Sequence, residues 1–91
     1  MNSFLEKFST DVANINDTDY GDFMRKANTY LNHLRDELSE DDTEDTHQKL
    51  NEMQKYLQFT SNWEIESTRK KLLADAKSID ALLTNFHQSN L

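Results

Sequence analysis

The densest group of chemically active side chains in this sequence is a run of carboxylates between residues 36 and 45. Seven of the seventeen Asp and Glu residues lie in these ten positions, and no Lys or Arg interrupts them. Carboxylates at close spacing are the ligands that Ca²⁺ prefers, so a calcium loop is the first chemistry to consider. We call this set the acidic run; it consists of Asp36, Glu37, Glu40, Asp41, Asp42, Glu44 and Asp45.

The spacing of the acids excludes an EF-hand loop. Such a loop needs oxygen ligands at positions 1, 3, 5 and 12 and a glycine at position 6. Residues 39–50 contain no glycine. A second acidic cluster, residues 17–22, contains Gly21, but placing that glycine at position 6 brings Ala27 to position 12. We therefore predict no calcium site.

Glu44 and His47 have the Glu-x-x-His spacing with which bundle helices bind a di-iron centre. A complete centre uses this pair on two helices, whereas the sequence contains it once, at the start of a predicted helix. The predicted core positions are also apolar instead of acidic. We interpret the pair as an exposed helix start, and we predict neither a metal nor another cofactor.

No group of residues favours catalysis. The absence of cysteine excludes thiolate nucleophiles, disulfides and Cys-bound metals. Gly21 is the only glycine, so the sequence offers neither a nucleophile elbow nor a phosphate-binding loop. His33 precedes Glu37 by four residues, and an exposed ion pair explains it as well as a catalytic role does. We predict that the protein is not an enzyme.

Two features remain as candidate partner-binding surfaces. The acidic run can attract basic surface at long range, with an affinity that falls as salt rises. Its alternative interpretation is a solvated turn whose acids favour the start of the next helix. The second feature is the aromatic set Tyr56, Phe59 and Trp63. Aromatic residues anchor many interfaces, but they also close the ends of cores, so both interpretations of this set stay open.

The composition predicts an all-α protein, in which helices must position these residues. The chain lacks proline and has one glycine, whereas sheets depend on tight turns made with both. A capping box at Ser3 and Glu6, followed by apolar residues at helical spacing, predicts a helix over 3–15. A second helix is predicted over 19–39, after a polar connector that ends in Asp19, a good N-cap.

The second half of the sequence predicts two further helices. A narrow apolar stripe predicts one over 43–59, and a broader stripe predicts another over 62–88. Ser61 and Glu64 form a second capping box, which favours a break between them. A single continuous helix over 44–88 is the alternative.

The last stripe has apolar residues every three to four positions, with Arg69 as its one polar interruption. This repeat is typical of helices in an up-and-down antiparallel bundle. We therefore predict one domain over 1–91, a small bundle of three long helices and a short N-terminal helix.

The uneven distribution of charge bears on the kind of partner. The net charge is −7, with −8 in residues 1–48 and +1 in residues 49–91. Direct binding to nucleic acid or to an anionic membrane is disfavoured, because both interactions need basic surface. No apolar run approaches the ~18 residues of a membrane span, and the N-terminus lacks a secretory pattern, so we expect a cytoplasmic protein. The expected partner is another protein with a basic surface.

The leading hypothesis is a small acidic interaction module that acts as an adaptor, regulator, chaperone-like binder or immunity-type inhibitor. One alternative is an acidic mimic of nucleic acid that blocks a DNA- or RNA-binding protein, although this needs carboxylates spread along a surface. Another is a homo-oligomeric structural subunit. The short first helix and the narrow third helix are expected to leave part of the last helix, mainly Leu82, Leu83 and Phe86, in need of cover. Either the first helix covers these residues or a second copy of the chain does, which would make a homodimer.

Overall fold

Four α-helices make up the described part of the chain in this computed structural model. It comprises residues 2–39, 44–59 and 64–89, with side chains described except at 59 and 85–89. No strand occurs within these ranges, which confirms the predicted all-α class. The helices are α1 (Ser3–Ala13), α2 (Tyr20–Glu37), α3 (Glu44–Phe59) and α4 (Ile65–Ser89).

Asn2, and not Ser3, caps the start of α1. The Asn2 Oδ1 accepts hydrogen bonds from the backbone N–H groups of Phe4 at 2.8 Å and Leu5 at 3.4 Å. Ser3 is the first helical residue, so the predicted capping box with Glu6 is wrong. Asparagine is at least as good an N-cap as serine, which is why the cap moves one residue towards the N-terminus.

The last turn of α1 tightens and ends at Ala13, two residues before the predicted end. The backbone N–H of Asn14 donates to the Thr10 carbonyl at 3.1 Å, and that of Ile15 donates to the Val12 carbonyl at 3.3 Å. Ile15 is still only 4% exposed. Its side chain belongs to the core although its backbone has left the helix, and the apolar pattern reports the side chain alone.

Asp19 caps α2, as the polar connector predicts. Its Oδ2 accepts a hydrogen bond from the backbone N–H of Asp22 at 3.1 Å. The helix ends at Glu37, two residues before the predicted end. Leu38 follows as the C-cap, and its N–H donates to the Leu34 carbonyl at 3.0 Å. Leu38 is fully buried, so the chain leaves α2 with its last apolar side chain inside the core.

The helices α3 and α4 are separate and fold back on each other. The Lys49 Nζ lies 3.6 Å from the Asp75 Oδ1. One continuous helix would place these residues about 39 Å apart along its axis, which excludes that alternative. Helix α4 begins at Ile65, after Glu64, whose carbonyl accepts the N–H of Thr68 at 3.2 Å. The predicted cap at Ser61 lies outside the described residues.

Each helix packs against two others around one core. Helix α1 contacts α2 and α4, and α3 contacts the same two helices. The radius of gyration is 13.1 Å, close to the ~12 Å of a compact chain of this length. The core consists of Leu5, Phe8, Val12, Ile15, Phe23, Ala27, Leu31, Leu34, Leu38, Leu50, Met53, Leu57, Leu72, Ala76, Ile79 and Leu83.

Leu83, near the end of α4, is covered within the single chain, which is one of the two arrangements that the sequence left open. This side chain is 3% exposed within the single chain, and Leu82 is half-buried. The side chain of Phe86 lies outside the described part. Helix α1 packs along α4, and the backbone N–H of Asn2 donates to the Asp80 Oδ1 at 2.9 Å. Burial of Leu83 therefore needs no second copy of the chain.

The contact between α2 and α3 has a polar border beside its apolar core. Arg35 in the last turns of α2 donates one hydrogen bond to the Asn51 Oδ1 at 2.8 Å and another to the Gln54 Oε1. On the core side, Thr46 is completely buried together with the leucines of α3. The narrow apolar stripe of α3 is thus bordered by polar side chains, and Asn51 and Gln54 among them accept hydrogen bonds from Arg35.

Candidate functional site

Four members of the acidic run lie in the described residues, at the facing ends of two helices. Asp36 and Glu37 occupy the last turn of α2, while Glu44 and Asp45 occupy the first turn of α3. Three of the four are exposed and Glu37 is half-buried. Within the described residues no ion pair neutralises Asp36 or Glu37. The other members, Glu40, Asp41 and Asp42, lie outside the described part of the chain.

The helix dipole distinguishes the two halves of the acidic run. Carboxylates in the first turn of α3 face the positive end of the helix dipole, which stabilises them, so helix initiation explains Glu44 and Asp45. Asp36 and Glu37 sit at the negative end of α2, where each carboxylate costs about 0.3–1 kcal/mol. The solvated-turn interpretation therefore explains the α3 half of the run and not the α2 half.

Tyr56 packs in the seam between α3 and α4. Its ring contacts the core and is half-buried, and the Lys71 Nζ lies 4.9 Å from the ring centroid. The Tyr56 Oη is buried and has no hydrogen-bond partner. Burial raises the pKa of this phenol strongly, and the negative charge of Asp75 raises it further. The Asp75 carboxylate is near enough for its charge to act on the Tyr56 hydroxyl, but the hydroxyl and the carboxylate are not in hydrogen-bond geometry.

The structure does not bring the two predicted surfaces together. Asp45 and Phe59 stand near opposite ends of α3, about 21 Å apart along the helix axis at 1.5 Å per residue. The side chain of Phe59 and all of Trp63 lie outside the described residues. Of the aromatic set, Tyr56 alone has a described environment, and that environment is a packed seam.

Arg69 joins α4 to the end of α1, a role that the sequence pattern did not predict. Its guanidinium donates to the backbone carbonyls of Val12 at 2.6 Å, Ala13 at 3.0 Å and Ile15 at 2.9 Å. The side chain is 14% exposed and also pairs with Glu66 at 3.2 Å. The carbonyls of Ala13 and Ile15 lie at the end of α1 and just beyond it, where no further helical N–H follows to bind them. The Val12 carbonyl also accepts the N–H of Ile15. In the sequence, the one sign of this role is that Arg69 interrupts the apolar stripe of the last helix.

A second ion pair holds the connector between α1 and α2. The Lys26 Nζ lies 2.8 Å from the Asp17 Oδ2, so this oxygen, although out of contact with water, is paired with a charge. Hydrogen bonding to Asp17, followed by the charge of Asp17, raises the pKa of Lys26. The pair is largely on the surface and has a structural explanation.

A shallow depression lies between α1 and α2, and sequence reasoning did not identify it. It holds about 20 Å³, the room of a single water molecule. Phe4 stands at its edge with 38% of its surface exposed, the one large hydrophobic side chain exposed among the described residues. The depression is lined by Phe4, Lys7, Phe8, Asp11, Tyr30, His33, Leu34 and Glu37. Glu37 thus belongs to both this depression and the acidic run.

A larger groove of about 310 Å³ lies between α2 and α3. Its described walls are Met24, Arg25, Asn28, Leu57 and Gln58, and the Asn28 Oδ1 is buried without a hydrogen-bond partner. Leu57 and Gln58 come just before residues 60–63, which lie outside the described part. The groove is therefore described on two sides only.

Among the side chains that the structure describes, no three His, Asp or Glu converge to hold a metal ion. The helices of the described part also include none with the length and apolar character to cross a membrane. Comparison with protein-family models, curated proteins and solved structures finds no match for this chain. Charge, exposure and packing therefore define the candidate site.

Proposed function

We propose that this protein is a small, acidic, non-enzymatic interaction module that docks on a partner protein with a basic surface. One observation carries the proposal: Asp36 and Glu37 lie at the C-terminal end of α2, where they oppose the helix dipole and have no described ion pair. Folding of α2 gains nothing from these charges. Attraction of a basic partner gives them a role, and the remaining acids of the run extend the same surface.

The proposal includes an up-and-down antiparallel arrangement of the helices. Asn2 at the start of α1 binds Asp80 in the second half of α4, whereas Arg69 in the first half of α4 binds Val12 and Ala13 at the end of α1. Lys49 early in α3 likewise pairs with Asp75, well along α4. These contacts support opposite directions for the paired helices, with the acidic run concentrated at one end of the bundle.

This concentration favours a docking surface over mimicry of nucleic acid, because a mimic needs carboxylates spaced along a surface like phosphates. The burial of Leu83 weakens the packing argument for a homodimer at that residue. A cytoplasmic location and the absence of catalysis remain parts of the proposal, supported by composition and by the missing catalytic residues.

Affinity purification with the tagged protein tests the proposal through one neutralised variant. The substitutions are Asp36→Asn, Glu37→Gln, Glu44→Gln and Asp45→Asn. We expect the wild-type chain to retain a basic partner at low salt and to lose it as salt rises past physiological strength, where charges are screened within about 8 Å. The neutralised variant is expected to lose the same partner at every salt concentration.

A matched control removes four carboxylates outside the run. The control substitutions are Glu6→Gln, Asp22→Asn, Glu52→Gln and Glu66→Gln. This variant has the same net charge as the neutralised one, so a surface-specific interaction survives in the control alone. Equal loss in both variants shows a general charge effect, and equal retention in both shows that the acidic run is not the docking surface. Thermal melting of both variants establishes that each is folded.

A further inference from the structure

Phe4 gives the acidic end of the molecule an apolar neighbour. A single exposed aromatic ring is ordinary on a protein surface. Phe4 differs because it borders a depression whose walls include the half-buried ring of Tyr30 and the buried side chains of Phe8 and Leu34. Its neighbour Leu5 is completely buried, so α1 keeps its own core contacts without Phe4. Phe4 nevertheless keeps 38% of its surface exposed.

The charge on the rim of the depression is set by Glu37. Lys7 and Asp11 are four residues apart on α1, where opposite charges offset each other. His33 is one turn from Glu37 on α2. The carboxylate of Glu37 lies on the same rim and continues directly into the acidic run. An apolar surface thus adjoins a strongly negative one.

The size of the depression decides which kind of ligand fits. Pockets that enclose small molecules hold about 300–1,000 Å³. This depression holds about 20 Å³, so a ligand cannot be enclosed and must lie across the surface. An amphipathic helix binds in this way, with apolar residues against one strip and its charged flank beside it.

We propose that the depression between α1 and α2 is the apolar half of the docking surface, and that it receives an amphipathic helix from the partner. That helix places an apolar residue against Phe4 and Tyr30, and its Lys or Arg side chains lie beside Glu37 and Asp36. The inference rests on the proposed function and adds to it the apolar contact and the secondary structure of the bound segment. The salt-sensitive charges steer the encounter, and the apolar contact slows dissociation.

The test uses two synthetic helical peptides and the full chain. One peptide carries a leucine stripe at helical spacing flanked by lysines, and the other has glutamine in place of every leucine and the same charge. We expect the leucine peptide to bind at least about tenfold more tightly than the glutamine peptide. Phe4→Ala should weaken binding of the leucine peptide about tenfold, the effect of losing one aromatic anchor. Calorimetric titration measures these affinities.

Met24→Ala serves as the matched control, because Met24 is a half-buried apolar residue that lines the groove between α2 and α3. The affinity of Met24→Ala for the leucine peptide should stay within about twofold of the affinity of the wild-type chain. Backbone amide chemical shifts, recorded on labelled protein, should change around Phe4, Tyr30 and Glu37. Changes centred on Met24 and Leu57 instead would place the peptide in the other groove and overturn the inference.

The outcomes separate this inference from the proposed function. If Phe4→Ala binds the leucine peptide as the wild-type chain does, while the neutralised acidic-run variant loses it, the apolar contact is wrong and the charged surface stands. Equal binding of the two peptides leads to the same conclusion. If neither variant differs from wild type, both proposals fail. Absence of any binding by the leucine peptide also overturns the inference.

Discussion

Arg69 and Tyr56 both have polar atoms that are buried where α4 packs against a neighbouring helix. The two residues differ in whether those atoms are hydrogen bonded. Arg69, between α1 and α4, donates to three carbonyls at and just beyond the end of α1 and pairs with Glu66. Its guanidinium also lies 5.4 Å from the ring centroid of Phe23. Tyr56, between α3 and α4, buries a hydroxyl that has no hydrogen-bond partner.

The difference shows that burial of a polar group does not by itself indicate function. An arginine inside an apolar stripe looks anomalous in the sequence, yet its donors complete the end of a neighbouring helix. The tyrosine looks ordinary beside apolar residues, yet its hydroxyl loses water and gains no partner. We expect Arg69 to stabilise the fold strongly and the hydroxyl of Tyr56 to contribute nothing or to destabilise it.

The largest effect is expected from Arg69→Met, which keeps an unbranched side chain and removes every donor. The carbonyls of Val12 and Ile15 lose a charged hydrogen-bond partner in a partly buried place, so the free energy of unfolding should fall by about 3 kcal/mol. Denaturant unfolding followed by circular dichroism measures this change. A loss below about 1 kcal/mol would mean that water replaces the guanidinium at little cost.

Arg69→Lys is the control for charge. The ammonium keeps a positive charge near the C-terminal end of α1 but lacks the planar fork that binds several carbonyls. Its stability should therefore lie between those of the wild-type chain and of Arg69→Met. A lysine variant as stable as wild type would assign the effect to charge instead of to geometry.

Tyr56→Phe should have a free energy of unfolding within about 0.5 kcal/mol of wild type, or above it, because the substitution removes a hydroxyl that has no partner. Tyr20→Phe is the matched change at a paired hydroxyl. The Tyr20 Oη lies 3.4 Å from the Thr68 Oγ1 in a buried contact, and its loss should cost about 1 kcal/mol. The same denaturant experiment compares both variants. Equal destabilisation would contradict the distinction between paired and unpaired hydroxyls.

The stability of the wild-type chain should respond to high pH more than that of Tyr56→Phe does. Burial, and then Asp75, raise the pKa of Tyr56 above its ordinary value of about 10. The unfolded phenol loses its proton near pH 10 while the folded phenol keeps it. The free energy of unfolding is therefore unaffected by this group below that pH and declines above it. This loss of stability at high pH is reduced because the Tyr56 ring is partly exposed to solvent.

Unfolding free energies at about pH 8, 10 and 11 measure this difference. The free energies of unfolding of wild type and Tyr56→Phe should change in parallel between about pH 8 and pH 10. Above pH 10 they should diverge, because wild type loses more stability. Curves that remain parallel throughout would show that the Tyr56 hydroxyl titrates equally in the folded and unfolded chains.

The smallest effect is expected from Glu66→Gln. The side chain of Glu66 is 73% exposed, and exposed ion pairs contribute little, so the change should be below about 0.5 kcal/mol and should vanish at high salt. Thermal melting at low and high salt measures it. A loss as large as that of Arg69→Met would assign the role of Arg69 to its ion pair instead of to the carbonyls of α1.

Helix class and the core positions followed from the sequence, because apolar spacing records which side chains leave water. The ends of the helices were less accurate. The cap at Asn2 and the tightened turn at Ile15 depend on hydrogen bonds between neighbouring backbone groups, which spacing does not record. The burial of Leu83 depends on where α1 packs, and a count of apolar residues along one helix contains no such information.

The candidate site was predictable in its charge and not in its apolar part. The acidic run is visible as a block of like charges in the sequence. Phe4 is one of several apolar residues in α1, and the apolar spacing does not show which of them stays exposed. Tyr30 and Glu37 belong to another helix, so their closeness to Phe4 could not be read from spacing.

The sequence by itself determined an all-α chain, the sign and position of its charge and the apolar stripes of its helices, because these depend on composition and on local periodicity. Tertiary structure alone decided that Arg69 completes the end of α1, that Tyr56 buries an unpaired hydroxyl and that Phe4 adjoins the acidic end. The reason is physical: each of these features joins residues from different helices, and only the packing of those helices sets the distances between them.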